Sequence, residues 1–108
     1  MPLRLAVAIA ILLGLIVAVP AAATLTVIQR GLMLDRASAS LARGDQVTFV
    51  NEDDVLHNIH IYGPGSEDSV DLGLQKPGKV LSYRFEKAGA YRVRCDIHPS
   101  VKMAVTVM

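Results

Sequence analysis

Gly89-Ala90-Tyr91-Arg92-Val93-Arg94-Cys95-Asp96-Ile97-His98-Pro99-Ser100-Val101-Lys102-Met103-Ala104-Val105-Thr106-Val107 is the stretch on which the reading of this 108-residue chain turns. Tyr91, Val93 and Cys95 alternate with Arg92 and Arg94, and Met103, Val105 and Val107 alternate with Ala104 and Thr106. Apolar residues at every second position mark a strand with one buried face, because successive side chains point to opposite sides of a sheet. Cys95 therefore ends one inward-facing strand and Met103 begins the next. Arg92 and Arg94 are expected to face solvent.

The same period recurs upstream. Leu25 to Ile28, Ser38 to Leu41, Gln46 to Asn51, His57 to Tyr62 and Val80 to Phe85 read as strands, separated by turns such as Ala42-Arg43-Gly44-Asp45 and Lys87-Ala88-Gly89-Ala90. From Gly63 to Gly78 the composition shifts to Gly, Pro, Ser and acidic residues, with only the short apolar piece Val70 to Leu74, and reads mainly as loop. About seven short strands and no convincing helix predict an all-β fold of two packed antiparallel sheets, a β-sandwich.

The first residues read differently. Arg4, the uncharged apolar run Leu5 to Val19 and Pro20-Ala21-Ala22-Ala23 form the n-region, h-region and small-residue end of a secretory signal. The A-x-A spacing puts the cut after Ala23, with Ala21 as the alternative, leaving residues 24–108 as one domain. The competing reading is a retained membrane anchor, since the run approaches the ~20 apolar residues that span a bilayer. Either way the domain is expected in the periplasm or otherwise outside the cytoplasm.

A domain this small has a thin core, and a metal commonly supplements such folds. Cys95 is the only cysteine, so no intrachain disulfide can form, and a metal thiolate would account for it. Ten of the eleven Lys and Arg and all ten Asp and Glu lie beyond residue 23, so the domain is formally neutral. No basic face interleaved with aromatics suggests nucleic acid.

Cys95, His98 and Met103 stand at C-x2-H-x4-M spacing, so one turn between two inward strands carries a thiolate, an imidazole and a thioether. Two imidazoles, one thiolate and a weak axial thioether are the ligands of a blue-copper electron-transfer site. The second imidazole comes from His57 or His60. Their odd offset sends them to opposite faces of a regular strand, so only one can serve. The runs Glu52-Asp53-Asp54 and Glu67-Asp68 read as solvated turns.

Gly44-Asp45-Gln46-Val47-Thr48-Phe49-Val50-Asn51, then His57-Asn58, then Gly89 to Met103 resembles the plastocyanin-like cupredoxins over most of residues 24–108. That resemblance implies a Greek-key cupredoxin sandwich binding one copper ion, Cu(I)/Cu(II). It selects His57 over His60 as ligand and makes Asn58 a tie between the two ligand loops. The spacing to Met103 is similar to that of plastocyanins and pseudoazurins, whereas amicyanins have a shorter loop whose Met position is held here by Val101. The implied ligand set is His57, Cys95, His98 and Met103.

The expected function is one-electron transfer between redox protein partners by a monomer, without catalysis, and the resemblance implies His98 as the exit. The alternative is a copper carrier or storage protein using the same ligands, which the extra His60 favours. A Cys-His nucleophilic enzyme would need an orienting group and a cleft, and nothing beyond Cys95 and His98 supports one. Pro99 has no N–H to offer the thiolate, and the expectation is that this omission raises the reduction potential.

Overall fold

The computed structural model describes residues 8, 14–15 and 21–108. The expected signal segment falls almost wholly outside the described residues. Nine strands follow in order: β1 (Thr24–Arg30), β2 (Met33–Leu34), β3 (Ser38–Leu41), β4 (Gln46–Asn51), β5 (His57–Tyr62), β6 (Ser69–Gln75), β7 (Val80–Arg84), β8 (Gly89–Arg94) and β9 (Lys102–Val107). Among the described residues no helix is long and apolar enough to cross a membrane.

The strands form two sheets, ordered β2-β1-β4-β7 and β3-β9-β8-β5-β6. The chain passes from the first sheet to the second after β2, returns for β4, crosses again for β5 and β6, returns for β7 and finishes with β8 and β9. These are the crossings of a Greek-key sandwich. The purely antiparallel pairing expected from the sequence needs correction: β1 runs parallel to β4, and β3 runs parallel to β9. A parallel neighbour requires a crossover connection, which the excursions through the opposite sheet supply.

Inward positions from both sheets meet in one core. Val27, Val47 and Phe49 come from the first sheet, and Ile59, Ile61, Val93 and Val105 from the second. Phe85 lies between Tyr83 and Tyr91, edge-to-face with each at 4.9 and 5.0 Å between ring centroids. Tyr91 donates its hydroxyl to Lys87 O at 2.7 Å, pinning the turn that enters β8.

The region read as loop contains β6, an edge strand on β5. Its apolar residues are poorly covered, with Val70 and Leu74 exposed, so it lacks the buried alternation that marks other strands. It also carries a bulge. Asn58 pairs with Leu74 but His60 with Asp71, so Leu72 and Gly73 together face Ile59. Gly73 takes φ +95°, a conformation in which a side chain is strained.

Candidate metal centre

One end of the sandwich gathers three of the four residues expected to bind metal. His57 opens β5, Cys95 follows the last residue of β8, and His98 lies in the loop that leads to β9. His57 and Cys95 are fully buried, while His98 is half-buried at the surface. His57 Nδ1 lies 3.5 Å from Cys95 Sγ and 3.2 Å from His98 Nδ1. Donor atoms of all three lie within 4.8 Å of one another.

This triangle fits a single ion. Bonds of about 2.0–2.1 Å to imidazole nitrogen and about 2.3 Å to thiolate, at angles between tetrahedral and trigonal, give donor–donor edges of about 3.2–3.8 Å. One thiolate and two imidazoles suit copper, because the soft sulfur favours Cu(I) and imidazole serves both oxidation states.

Two of the donors are held by bonds of their own, and the loop that carries the third is anchored. His57 Nε2 lies 2.7 Å from Asp53 Oδ2, which fixes the ring with Nδ1 turned toward the other donors. Asp53 also accepts from the backbone N–H of Gly31 at 2.6 Å and of Leu32 at 3.1 Å. Burial pushes the Asp53 carboxyl up, but the bonds from His57, Leu32 and Gly31 outweigh it and leave the group below the usual carboxylate range. Cys95 Sγ accepts from Asn58 N–H at 3.4 Å. Asn58 Oδ1 accepts from Asp96 N–H at 2.7 Å, tying the strand that carries His57 to the loop that carries Cys95. Ser100 Oγ donates to Leu32 O at 2.6 Å, joining the His98 loop to the turn that anchors Asp53.

Asp53 is the functional residue that sequence reasoning missed. It was read as part of a solvated acidic turn, and a carboxylate four residues ahead of a histidine in irregular chain carries no periodic mark. His60 lies on the opposite face of β5 from the buried His57. It is held there by Asp96 Oδ2 at 2.8 Å, with Tyr62 Oη 3.0 Å from its Nδ1. The hydrogen bonds from His60 and Asn58 hold Asp96 below the usual carboxylate range.

Met103, the fourth expected donor, is buried on the inward face of β9 and pairs across the ladder with Val93. One inward position nearer the loop, Cys95 N donates to Val101 O at 2.9 Å and Val101 N donates to His98 O at 3.0 Å.

A Greek-key sandwich with a cysteine and two histidines converging at one end has the architecture of a small mononuclear blue-copper protein. The chain belongs to the plastocyanin/azurin family of copper-binding proteins, whose family model matches residues 21–108. Among curated proteins it is similar to methylamine utilization protein MauL of Methylorubrum extorquens, 35% identical over 65 residues that make up 59% of this chain and 55% of that one. It is also similar to amicyanin of Paracoccus denitrificans, 32% identical over 65 residues, 59% of this chain and 50% of that one. The chain thus spans about half the length of the curated relatives it matches. Among solved structures it resembles a Cu(I) form of an amicyanin mutant, with TM-score 0.71 and 26% identity over 79% of this chain and 82% of that one. A reduced amicyanin mutant matches at TM-score 0.70 with the same identity and coverage.

Proposed function

We propose that the protein is an exported one-electron carrier that holds one copper ion through His57 Nδ1, Cys95 Sγ and His98 Nδ1. The observation that carries this reading is the convergence of those donors at 3.5 and 3.2 Å at one end of the sandwich, two of them buried and His98 at the surface. Bound copper supplies the Cu(II)/Cu(I) couple. The protein supplies a donor set with little freedom to move. Asp53 locks the His57 ring, Asn58 ties the Cys95 loop to β5, and Ser100 ties the His98 loop to the Gly31-Leu32 turn. A site that barely rearranges between oxidation states exchanges electrons with small reorganisation.

His98 is the natural point of exit because it is the ligand nearest solvent. Ile97, Leu32 and Leu56, neighbours of the donors or of their anchors, are 46%, 40% and 38% exposed. Apolar side chains around an electron exit suit brief docking of a redox protein partner, since such contact needs desolvation more than specific pairing. The protein is proposed to act as a periplasmic monomer. A copper-exchange role draws no support from His60, which is turned to the outer face and held by Asp96 and Tyr62.

The test is optical. Adding Cu(II) to the domain is expected to produce an intense visible thiolate-to-copper band that Cys95→Ser abolishes. A colourless copper complex, or a band that survives Cys95→Ser, overturns the assignment.

A further inference from the structure

We infer that the fourth position around the ion, beside the triangle of donors, is closed by Val101, so that copper here has three strong protein ligands and no thioether, and that Met103 is a core residue. The inference rests on the reading of His57, Cys95 and His98 as a copper site, and it changes what that site does.

The ladder decides it. Arg92↔Ala104, Val93↔Met103 and Arg94↔Lys102 fix the antiparallel register of β8 and β9. The 2.9 Å bond from Cys95 N to Val101 O carries the pairing one step further, which sets Val101 directly across from Cys95. Residues directly opposed in an antiparallel pair have Cβ atoms about 4.5–5.5 Å apart, whereas a residue two positions along the partner strand is about 7–8 Å away. Cys95, Val101 and Met103 share the inward face, at 1%, 0% and 4% exposure. The side chain alongside the thiolate is therefore that of Val101. Met103 lies one layer deeper, beside Val93, and its thioether would have to fold back over Val101 to approach the donors.

Loop closure removes the slack that could bring Met103 nearer. The Val101 N–H to His98 O bond at 3.0 Å and the Cys95 to Val101 bond pull residues 96–100 into a tight excursion with His98 at its tip. Regular pairing resumes at Lys102. Among the described residues, the buried side-chain oxygen and nitrogen atoms without a hydrogen-bond partner are Gln29 Oε1 and Nε2 and Gln75 Oε1, and Gln29 faces the core from β1 with its whole amide unpartnered. The experiment includes it for that reason.

Valine offers no lone pair, and Val101 is fully buried. Cu(II) gains more than Cu(I) from an additional donor, so an apolar wall on that side penalises the oxidised state and raises the reduction potential. The carrier that results accepts electrons readily and passes them only to a strongly oxidising acceptor.

Copper-loaded protein, Val101→Met, Met103→Leu and Gln29→Leu are compared by X-ray absorption at the copper edge, electron paramagnetic resonance and voltammetry. The inference expects one short copper–sulfur distance and no second sulfur in the parent, and Met103→Leu and Gln29→Leu spectra and potentials that match the parent. It expects Val101→Met to raise the Cu(II)/Cu(I) affinity ratio at least tenfold, lowering the potential by about 59 mV or more for a one-electron couple. Loss of a long copper–sulfur distance in Met103→Leu, or a tenfold change in that ratio in Met103→Leu or Gln29→Leu, overturns it. Met103→Leu conserves volume, so the result does not hinge on whether the longer side chain at 101 is accommodated. Absence of any thiolate-to-copper band in the parent overturns the copper-site reading as well, which separates the two failures.

Discussion

Asp53 shows how much one side chain outside the donor set controls. Its carboxylate on His57 Nε2 makes the imidazole a stronger donor, which favours the more highly charged Cu(II) state. Asp53→Asn keeps an oxygen that can accept from Nε2–H but removes the charge. Copper affinity measured against a competing chelator is expected to fall by about ten- to a hundredfold, and the potential read by voltammetry is expected to rise. Asn58 works on the other donor. Its N–H, 3.4 Å from Cys95 Sγ, draws charge from the thiolate and so favours the reduced state. The same electrostatics corrects the expectation for Pro99: a missing donor leaves the sulfur more electron-rich and lowers the potential. Pro99→Ala is accordingly expected to raise the potential if the new N–H turns toward the sulfur, and an unchanged or lowered value counts against that contact. Cys95 and His98 were legible in the sequence because they share one short loop, and His57 because a resemblance singled it out. The role of Asp53 was not, because it depends on a turn from β1 to β2 that brings Gly31 and Leu32 over a loop 21 and 22 residues further along the chain.

The strands that alternate cleanly, β4, β8 and β9, lie inside their sheets and bury every second residue. They were readable for that reason. The two strands not foreseen are both edges. β2 spans only Met33 and Leu34, and β6 exposes much of its apolar surface and is interrupted at Gly73. An edge has one ladder neighbour and a weakly covered face, so its sequence carries little period, and the parallel pairing of β1 with β4 leaves no local trace. One turn between elements does carry a measurable contribution. Tyr91→Phe removes only the hydroxyl that bonds Lys87 O across the entrance to β8, and the ring keeps its place against Phe85. Loss of one such bond is expected to lower the unfolding free energy by about 0.5–1.5 kcal/mol, read from urea denaturation. The visible spectrum of the copper form should stay unchanged, because the turn lies at the far end of β8 from Cys95.

At the scale of the whole molecule, Asp45 closes the end of the sandwich remote from the metal. Its carboxylate accepts from Ala23 N at 2.9 Å and from Ala42 N at 2.9 Å, joining the lead-in to β1 with the turn between β3 and β4. These two backbone bonds hold its carboxyl below the usual carboxylate range. A group whose pKa is lowered by folding stabilises the fold fully above its unfolded value, about 3.9, and that contribution is lost as pH falls through the folded value. The metal-free Asp45→Asn variant should therefore unfold at lower urea than the parent at pH 7, and the gap should narrow as pH falls below about 3.9. The same contact bears on the proposed signal cleavage. Gln46 N donates to Ala23 O at 2.9 Å, so both backbone groups of Ala23 are engaged. Cleavage after Ala23 would delete both bonds, whereas cleavage after Ala21 keeps them. If the proposed signal is removed, the expected mature start is Ala22, which the intact mass of the protein from its host would establish. A domain made to start at Ala22 should be more resistant to urea at pH 7 than one starting at Thr24. Because part of that advantage runs through the Asp45 carboxylate, it should shrink in acid, and an advantage independent of pH would show that the Ala23 N–H to Asp45 bond contributes nothing.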